Sequence, residues 1–307
     1  NASIWQDADS IAHAASFSGI GYLNNPSGAP ASIATSVSAD GRTVVGLSST
    51  ASGHAYTYGT VVIWRADSGL QSNGFDALGG GISPFRGPFI SADASMIAGT
   101  LANPLFLGFR QPVGGTLLPI INGYNINDIN ATGQALVGTR LDNATALDRA
   151  GLYRASNGYA FEDLGMGGPT EKSYGGAISR SGNAVAGYVE RSFQKDIYRW
   201  RDGVGSELVL TRPSSAGTNI SGISEDGNTI VGRGFRWTET GGFQNLTNII
   251  ETHAISADAS ILAGERNGRA ALLGPSGQVR QISDILATDF GIQIPGWTLT
   301  RVSSISA

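Results

Sequence analysis

Glu251 and His253, two residues apart and followed by Glu265 and Arg266, form the part of this sequence best equipped for acid and base chemistry. An imidazole of ordinary pKa beside a carboxyl group is what hydrolysis or lysis of a glycan or peptide requires near neutral pH. Glu171 and Glu190 add two loop carboxylates, and glycoside hydrolysis needs a carboxyl pair roughly 5 to 10 Å apart across the sugar. A second set of residues is suited to holding a ligand. Arg86, Arg140, Arg191 and Arg266, with Tyr124 and Tyr174, offer guanidinium forks and flat amphipathic rings for a glycan or a protein epitope. No Gly-x-Ser-x-Gly elbow accompanies His253, and serine is too abundant for any one to stand out. Glu251, His253 and Glu265 are thus only candidates, and the balance leans away from an enzyme.

Metal chemistry has little to work with. There is no cysteine, and His13, His54 and His253 lie far apart without the short spacings of a zinc site. Asp40, Asp93, Asp226 and Asp258 resemble calcium ligands only superficially, because an aspartate in a hairpin turn satisfies its own backbone without a metal. No cofactor and no metal are expected. A net charge of -4 with no basic cluster lacks the footprint that phosphate binding needs, so no nucleic-acid partner is expected either. Apolar runs such as Leu117 to Ile121 are far below the roughly 18 residues of a membrane-spanning helix, so this segment is not expected to insert directly into a membrane.

Those candidates must be positioned by something, and the 44 glycines and only 14% charged residues suit a turn-rich β protein. Self-similarity identifies the unit. One phrase reads Val37-Ser-Ala-Asp40-Gly41-Arg-Thr-Val-Val-Gly46, and related phrases lie near 36–46, 89–99, 128–138, 177–187, 222–232 and 254–264. A seventh begins at Ile305-Ser306-Ala307, near 304–307. Each joins a β-branched residue, a polar turn that tolerates positive φ and a short apolar strand stopped by glycine, the pattern of a β-hairpin. An aromatic-arginine pair follows five of them, at Trp64-Arg65, Phe109-Arg110, Tyr153-Arg154, Tyr198-Arg199 and Phe235-Arg236, marking a third strand. A glycine turn and an apolar stretch mark a fourth. Four-stranded units recurring about every 45 residues predict a seven-bladed β-propeller over residues 1–307 as a single domain.

The ends are expected to meet in the last blade. Ser3-Ile4-Trp5 reads as its third strand, Phe17 to Leu23 as its fourth, and the seventh phrase as its first. The second strand is unaccounted for: either the chain continues past Ala307 through an Asp-Gly type turn, or a segment within Gln6 to Ala15 fills the gap. In a propeller built this way all Asp-Gly turns lie on one face, and the candidate residues lie in the loops of the other, around the mouth of a central channel. Residues shared by many blades, such as the arginines, read as scaffold.

The phrase Ser-Ala-Asp-Gly-x-x-Val-Val-Gly, with Phe235-Arg236-Trp237 and Gly19-Ile-Gly-Tyr-Leu23, resembles the HAF family of bacterial extracellular repeats across essentially the whole chain. Departures from its pattern are Ala94 and Ala259 in place of glycine, Thr132 and Ser181 in place of aspartate, and Leu272-Leu273 in place of aromatic-arginine. The resemblance implies a secreted or surface location, similar to an autotransporter passenger domain, and implies no particular activity. The expectation is a monomeric, non-catalytic binding or adhesion module for a glycan or protein ligand, the alternative being an extracellular hydrolase or lyase acting at the channel mouth.

Overall fold

A computed structural model describes residues 2–6, 16–23, 32–48, 58–78, 87–101, 107–120, 125–216, 219–247 and 249–306. β1 (Ala2–Gln6) and β2 (Ser16–Gly21) pair with each other. Six four-stranded antiparallel sheets follow in strict sequence order. Blade one is β3 (Ser32–Val37), β4 (Thr43–Ser48), β5 (Tyr58–Arg65) and β6 (Gly69–Leu78). Blade two is β7 (Phe89–Ile90), β8 (Met96–Thr100), β9 (Gly108–Pro112) and β10 (Leu118–Pro119). Blade three is β11 (Asn125–Ile129), β12 (Ala135–Asp142), β13 (Leu147–Arg154) and β14 (Phe161–Asp163). Blade four is β15 (Lys172–Ile178), β16 (Ala184–Glu190), β17 (Gln194–Arg201) and β18 (Gly205–Pro213). Blade five is β19 (Ile220–Ile223), β20 (Thr229–Gly232), β21 (Phe235–Thr238) and β22 (Gly242–Asn245). Blade six is β23 (Glu251–Ile255), β24 (Leu262–Arg266), β25 (Arg269–Leu273) and β26 (Val279–Gln281), followed by helix α1 (Ile282–Asp289).

The turn between the first two strands explains the repeated phrase. Ser38 is buried; its hydroxyl donates to Asp40 at 2.6 Å and accepts the Thr43 amide at 3.0 Å, while Asp40 also takes the Arg42 amide. Ser91, Ser224 and Ser256 repeat this arrangement with Asp93, Asp226 and Asp258. The serine hydrogen bond holds the carboxyls of Asp40, Asp226 and Asp258 below the ordinary range, Asp258 down to about 2, and Asp93 is lowered in the same way against opposing burial. The aspartates therefore serve the turns. Neighbouring turns are tied by backbone bonds from Ala39 to Ala92, Asp93 to Ala131, Ala131 to Arg180 and Glu225 to Ala257, which places them all on one face, as the repeat predicts.

The fourth turn residue is left-handed throughout, with φ of 66° at Gly41 but also 59° at Ala94 and 60° at Ala259. An alanine held there costs about 1 to 2 kcal/mol. Its smaller unfolded-state entropy returns about 0.4 to 1 kcal/mol of that. Ala259→Gly is accordingly expected to stabilise the fold by about 0.5 kcal/mol, read as a raised urea midpoint at unchanged m-value.

Each hairpin alternates its apolar residues between the two faces of its sheet, so the core lies in layers between blades. Val45, Leu47, Val61 and Ile63 meet Ile90, Ile97 and Phe109 of the next blade, and Val137 and Leu152 meet Val185 and Val189. The repeated arginines reach across these layers. Arg110 stacks on Tyr159 of blade three, Arg154 on Trp200 of blade four and Arg199 on Trp237 of blade five. Arg199, only 2% exposed, also pairs with Glu207 and Glu239 and donates to the Gly227 carbonyl. These are architectural contacts between blades.

The expectation of seven blades is corrected: the described residues form six. Between blades six and one lie α1, the run 290–306 and the β1–β2 pair. α1 arises because Ile282, Ile285 and Leu286 recur at helical spacing and pack on Ala270 and Leu272 of blade six. A seventh sheet does not form because no described strand links β1 to the C-terminal run. That run carries the seventh phrase up to Ser306 without strand pairing, making isolated bonds from the Val302 amide to the Gly264 carbonyl and from the Ser303 hydroxyl to the Ala34 carbonyl.

Candidate functional site

The first strands of all six blades line a central channel, a cavity of about 220 Å³. Each of β3, β11, β15, β19 and β23 bulges at one residue, namely Thr35, Asn127, Gly176, Ser221 and His253. At three of these positions the bulge residue's side chain reaches the neighbouring blade. Thr35 donates to the Pro88 carbonyl at 2.5 Å, Asn127 to Gly175 at 2.5 Å and Ser221 to Thr252 at 2.9 Å. The bond from Ser303 to Ala34 is the same contact made by the C-terminal run.

Asp128, next to the bulge of blade three, is the only carboxylate among the described channel-lining residues; its counterparts are Ser36, Phe89, Ala177, Gly222 and Ala254. Its oxygens accept the Ile129 amide at 2.8 Å and the Ile178 amide at 3.0 Å. Enclosure by the channel wall outweighs those bonds and pushes its pKa up to about 7. Asn127, 6% exposed, keeps its Oδ1 buried without a hydrogen-bond partner in the same wall. The sequence reading passed over both residues. Their one available signal was a polar pair, Asn127-Asp128, set between Ile126 and Ile129 in a strand whose counterparts carry no acid.

The acid-base candidates do not converge on one reacting centre. Glu251 and Glu265 stand opposite each other in the β23–β24 ladder, with Arg266 exposed beside them, and Glu251 is held by Arg233 of blade five at 2.9 Å. His253 turns into the channel wall, where burial, followed by the charges of Arg301 and Arg233, lowers its pKa to about 4. Such an imidazole is neutral and weakly basic at neutral pH, which suits hydrogen bonding better than proton abstraction.

The binding candidates fare differently by position. Arg86 and Tyr124 lie outside the described residues. Arg140 stacks on Phe161 at 4.1 Å within blade three. Tyr174 lies in β15 opposite Tyr188 of β16, and Arg191 lies in the turn between β16 and β17. Tyr174 stacks on Tyr188 at 4.9 Å and donates to Asp148 at 3.0 Å; desolvation and that acceptor raise its phenol pKa. Lys195 lies over Tyr188, which itself lines the channel. Arg191 is pinned by Asp196 at 2.7 Å and Glu171 at 3.0 Å. Beside it Phe193 stands 86% exposed at the hairpin tip, a residue that sequence reading did not single out because the repeat has no counterpart for it.

No protein-family model matches this sequence, and no curated protein matches it. Among solved structures it is similar to the β-propeller domain of the Trilobed protease from Pyrococcus furiosus, described as having an open velcro topology, at 15% identity and a TM-score of 0.54 over 85% of this chain and 84% of that one. It is also similar to a puromycin hydrolase S511A mutant complexed with PGG, at 14% identity and a TM-score of 0.53 over 94% of this chain and 49% of that one. TolB from Acinetobacter baumannii matches at 15% identity with a TM-score of 0.48, covering 72% of this chain; the chain spans 58% of TolB's length. At such identities the likeness to the first two establishes the β-propeller fold and nothing about chemistry.

Proposed function

We propose that this chain is a non-catalytic binding module of a secreted or cell-surface bacterial protein, engaging a glycan or protein through the rim of blade four. The observation that carries this reading is the grouping of an exposed Phe193 with the pinned Arg191 and the stacked pair of Tyr174 and Tyr188 beside the channel mouth. A guanidinium held in place by two carboxylates loses little freedom when it meets a ligand, and an aromatic left in water at a loop tip gains by being covered. The HAF-like repeat and the cysteine-free composition support the extracellular location and the autotransporter-like setting. The folded state is read as a monomer.

Glycan-array and cell-adhesion binding by the chain and by the Phe193→Ala, Arg191→Ala and Tyr174→Ala variants tests the assignment. Loss of at least tenfold in affinity is expected for Phe193→Ala with the melting temperature unchanged, corresponding to about 1.4 kcal/mol. Unaltered binding by all three variants would remove this rim from consideration. Turnover of a polysaccharide or peptide that depends on Glu251 and His253 would instead establish a hydrolase or lyase.

A further inference from the structure

Where the repeat is kept it builds the scaffold, and at the channel wall it is broken in three places. Blade one joins its neighbour through the Ser36 hydroxyl, which accepts the Ile90 amide at 3.2 Å, and blade three makes the same tie when Asp128 accepts the Ile178 amide at 3.0 Å. A neutral hydroxyl is therefore enough to close the wall. The carboxyl of Asp128 brings acceptor capacity that the tie does not use, and enclosing such a group is costly unless something else meets it. Asn127 repeats the excess: its Nδ2 makes the bond that hydroxyls make at Thr35 and Ser221, and its Oδ1 is left over, buried without a partner. Phe89 is the second departure. It stands in blade two at the level of Asp128, where blades four to six carry nothing larger than the methyl groups of Ala177 and Ala254. The third is Arg180. Blades one, two, three and six have alanine at its position, at 39, 92, 131 and 257. Arg180 is half-buried, lines the same cavity as Asp128 and Phe89, and its guanidinium makes no hydrogen bond or ion pair among the described residues.

These three side chains define the chemistry of a ligand. Asp128 offers acceptor oxygens, Arg180 offers donors and no acceptor, and Phe89 offers an apolar ring. A carboxyl and a guanidinium in one wall disfavour a bare cation and a bare anion alike, and among the described residues no three histidine, aspartate or glutamate side chains are grouped to hold a metal ion. A molecule with hydroxyl donors, oxygen acceptors and one C–H face meets all three. The cavity of about 220 Å³ is smaller than the roughly 300 Å³ at which pockets for drug-sized molecules begin, which leaves room for one small ring. We infer that the channel binds a single neutral hexopyranose unit, its hydroxyls donating to Asp128 and accepting from Arg180 while its C–H face lies against Phe89. The site is separate from the rim of blade four and does not rest on the binding reading given to that rim.

The test is saturation-transfer NMR and calorimetry with D-glucose, D-galactose, D-mannose and N-acetyl-D-glucosamine, beside glycine as a zwitterion and putrescine as a cation. Two variants borrow the repeat's own residues, so the blades keep their ties: Asp128→Ser reproduces the bond of Ser36, and Arg180→Ala restores the commonest residue at its position. Binding of at least one of the four sugars by the parent is expected, with a loss of at least about tenfold in affinity in each variant while far-UV circular dichroism is unchanged. Failure of all four sugars to bind the parent would overturn the proposal, as would affinity kept within about twofold by either variant. Glycine or putrescine binding more tightly than any sugar, in a manner that Asp128→Ser abolishes, would also overturn it. So would sugar binding lost in Phe193→Ala and retained in Asp128→Ser, because the sugar would then sit on the rim.

Discussion

Gly138→Ala is expected to destabilise the protein by about 3 kcal/mol, a large cost for adding one methyl group. A Cβ at Gly138 would lie 2.1 Å from the Asn125 carbonyl oxygen, and at Gly264 1.9 Å from that of Glu251. The obstacle is backbone in both cases, and it is there because the bulge at Asn127 or His253 pushes the preceding carbonyl toward the second strand. No side chain can swing away to make room, so the ladder itself must part. The repeat's closing glycine is thus explained by its neighbour's bulge. Gly274 provides the contrast: nothing lies within 4 Å of its Cβ position, so Gly274→Ala should change stability by no more than about 0.5 kcal/mol. Urea unfolding of the three variants separates these outcomes. A Gly138→Ala protein as stable as the parent would show that the strands can part without loss.

A second large effect is concealed in the unaltered protein and appears only in variants of the channel wall. Asp128 has its pKa raised to about 7 in the fold, so between about pH 4 and 7 the folded state holds a proton that the unfolded chain has released. Its contribution to stability is complete below pH 4 and is lost as pH rises through 7. His253 has its pKa lowered to about 4, so between pH 4 and about 6.5 the unfolded chain holds a proton that the folded state lacks. Its contribution therefore rises across almost the same window. They amount to about 4 kcal/mol for Asp128 and about 3 kcal/mol for His253, so the two largely offset each other. His253→Gln is expected to unmask a fall in stability from pH 4 to 7, and Asp128→Asn a rise. Arg180 also lines this wall. The turn aspartates act elsewhere: Asp258, at about 2, loses its contribution only as pH falls below 4. Parallel stability profiles for the two variants would refute the opposition.

The β-propeller with four-stranded blades was legible because its signals are local. The serine-aspartate turn closes within six residues, the apolar alternation sets which face is buried, and glycine marks the bulge opposite; each operates whatever lies elsewhere in the chain. Even Ala94 and Ala259, at positive φ, keep to the repeat, since the remaining turn bonds hold them there. The arginines could be read as scaffold because they recur, although the aromatics that Arg110, Arg154 and Arg199 meet, such as Trp237 for Arg199, belong to the next blade and had to be seen.

The number of complete blades was not legible in this way. Pairing at the closure depends on whether segments almost three hundred residues apart share a ladder, and a hydrophobic pattern says that a strand can form without saying that its partner is present. Helix α1 escaped notice for a related reason, since its three buried residues form less than two turns of pattern at the edge of a β repeat. The site shows the same division. Spacing along the chain placed Glu251 near His253, but folding turned one toward Arg233 and the other into the channel wall. Asp128 looked like any strand aspartate until enclosure by the channel wall raised its pKa. Short-range hydrogen bonds and alternation are written in neighbouring residues; burial, closure and the charge state of a buried group are properties of what distant segments bring to one place.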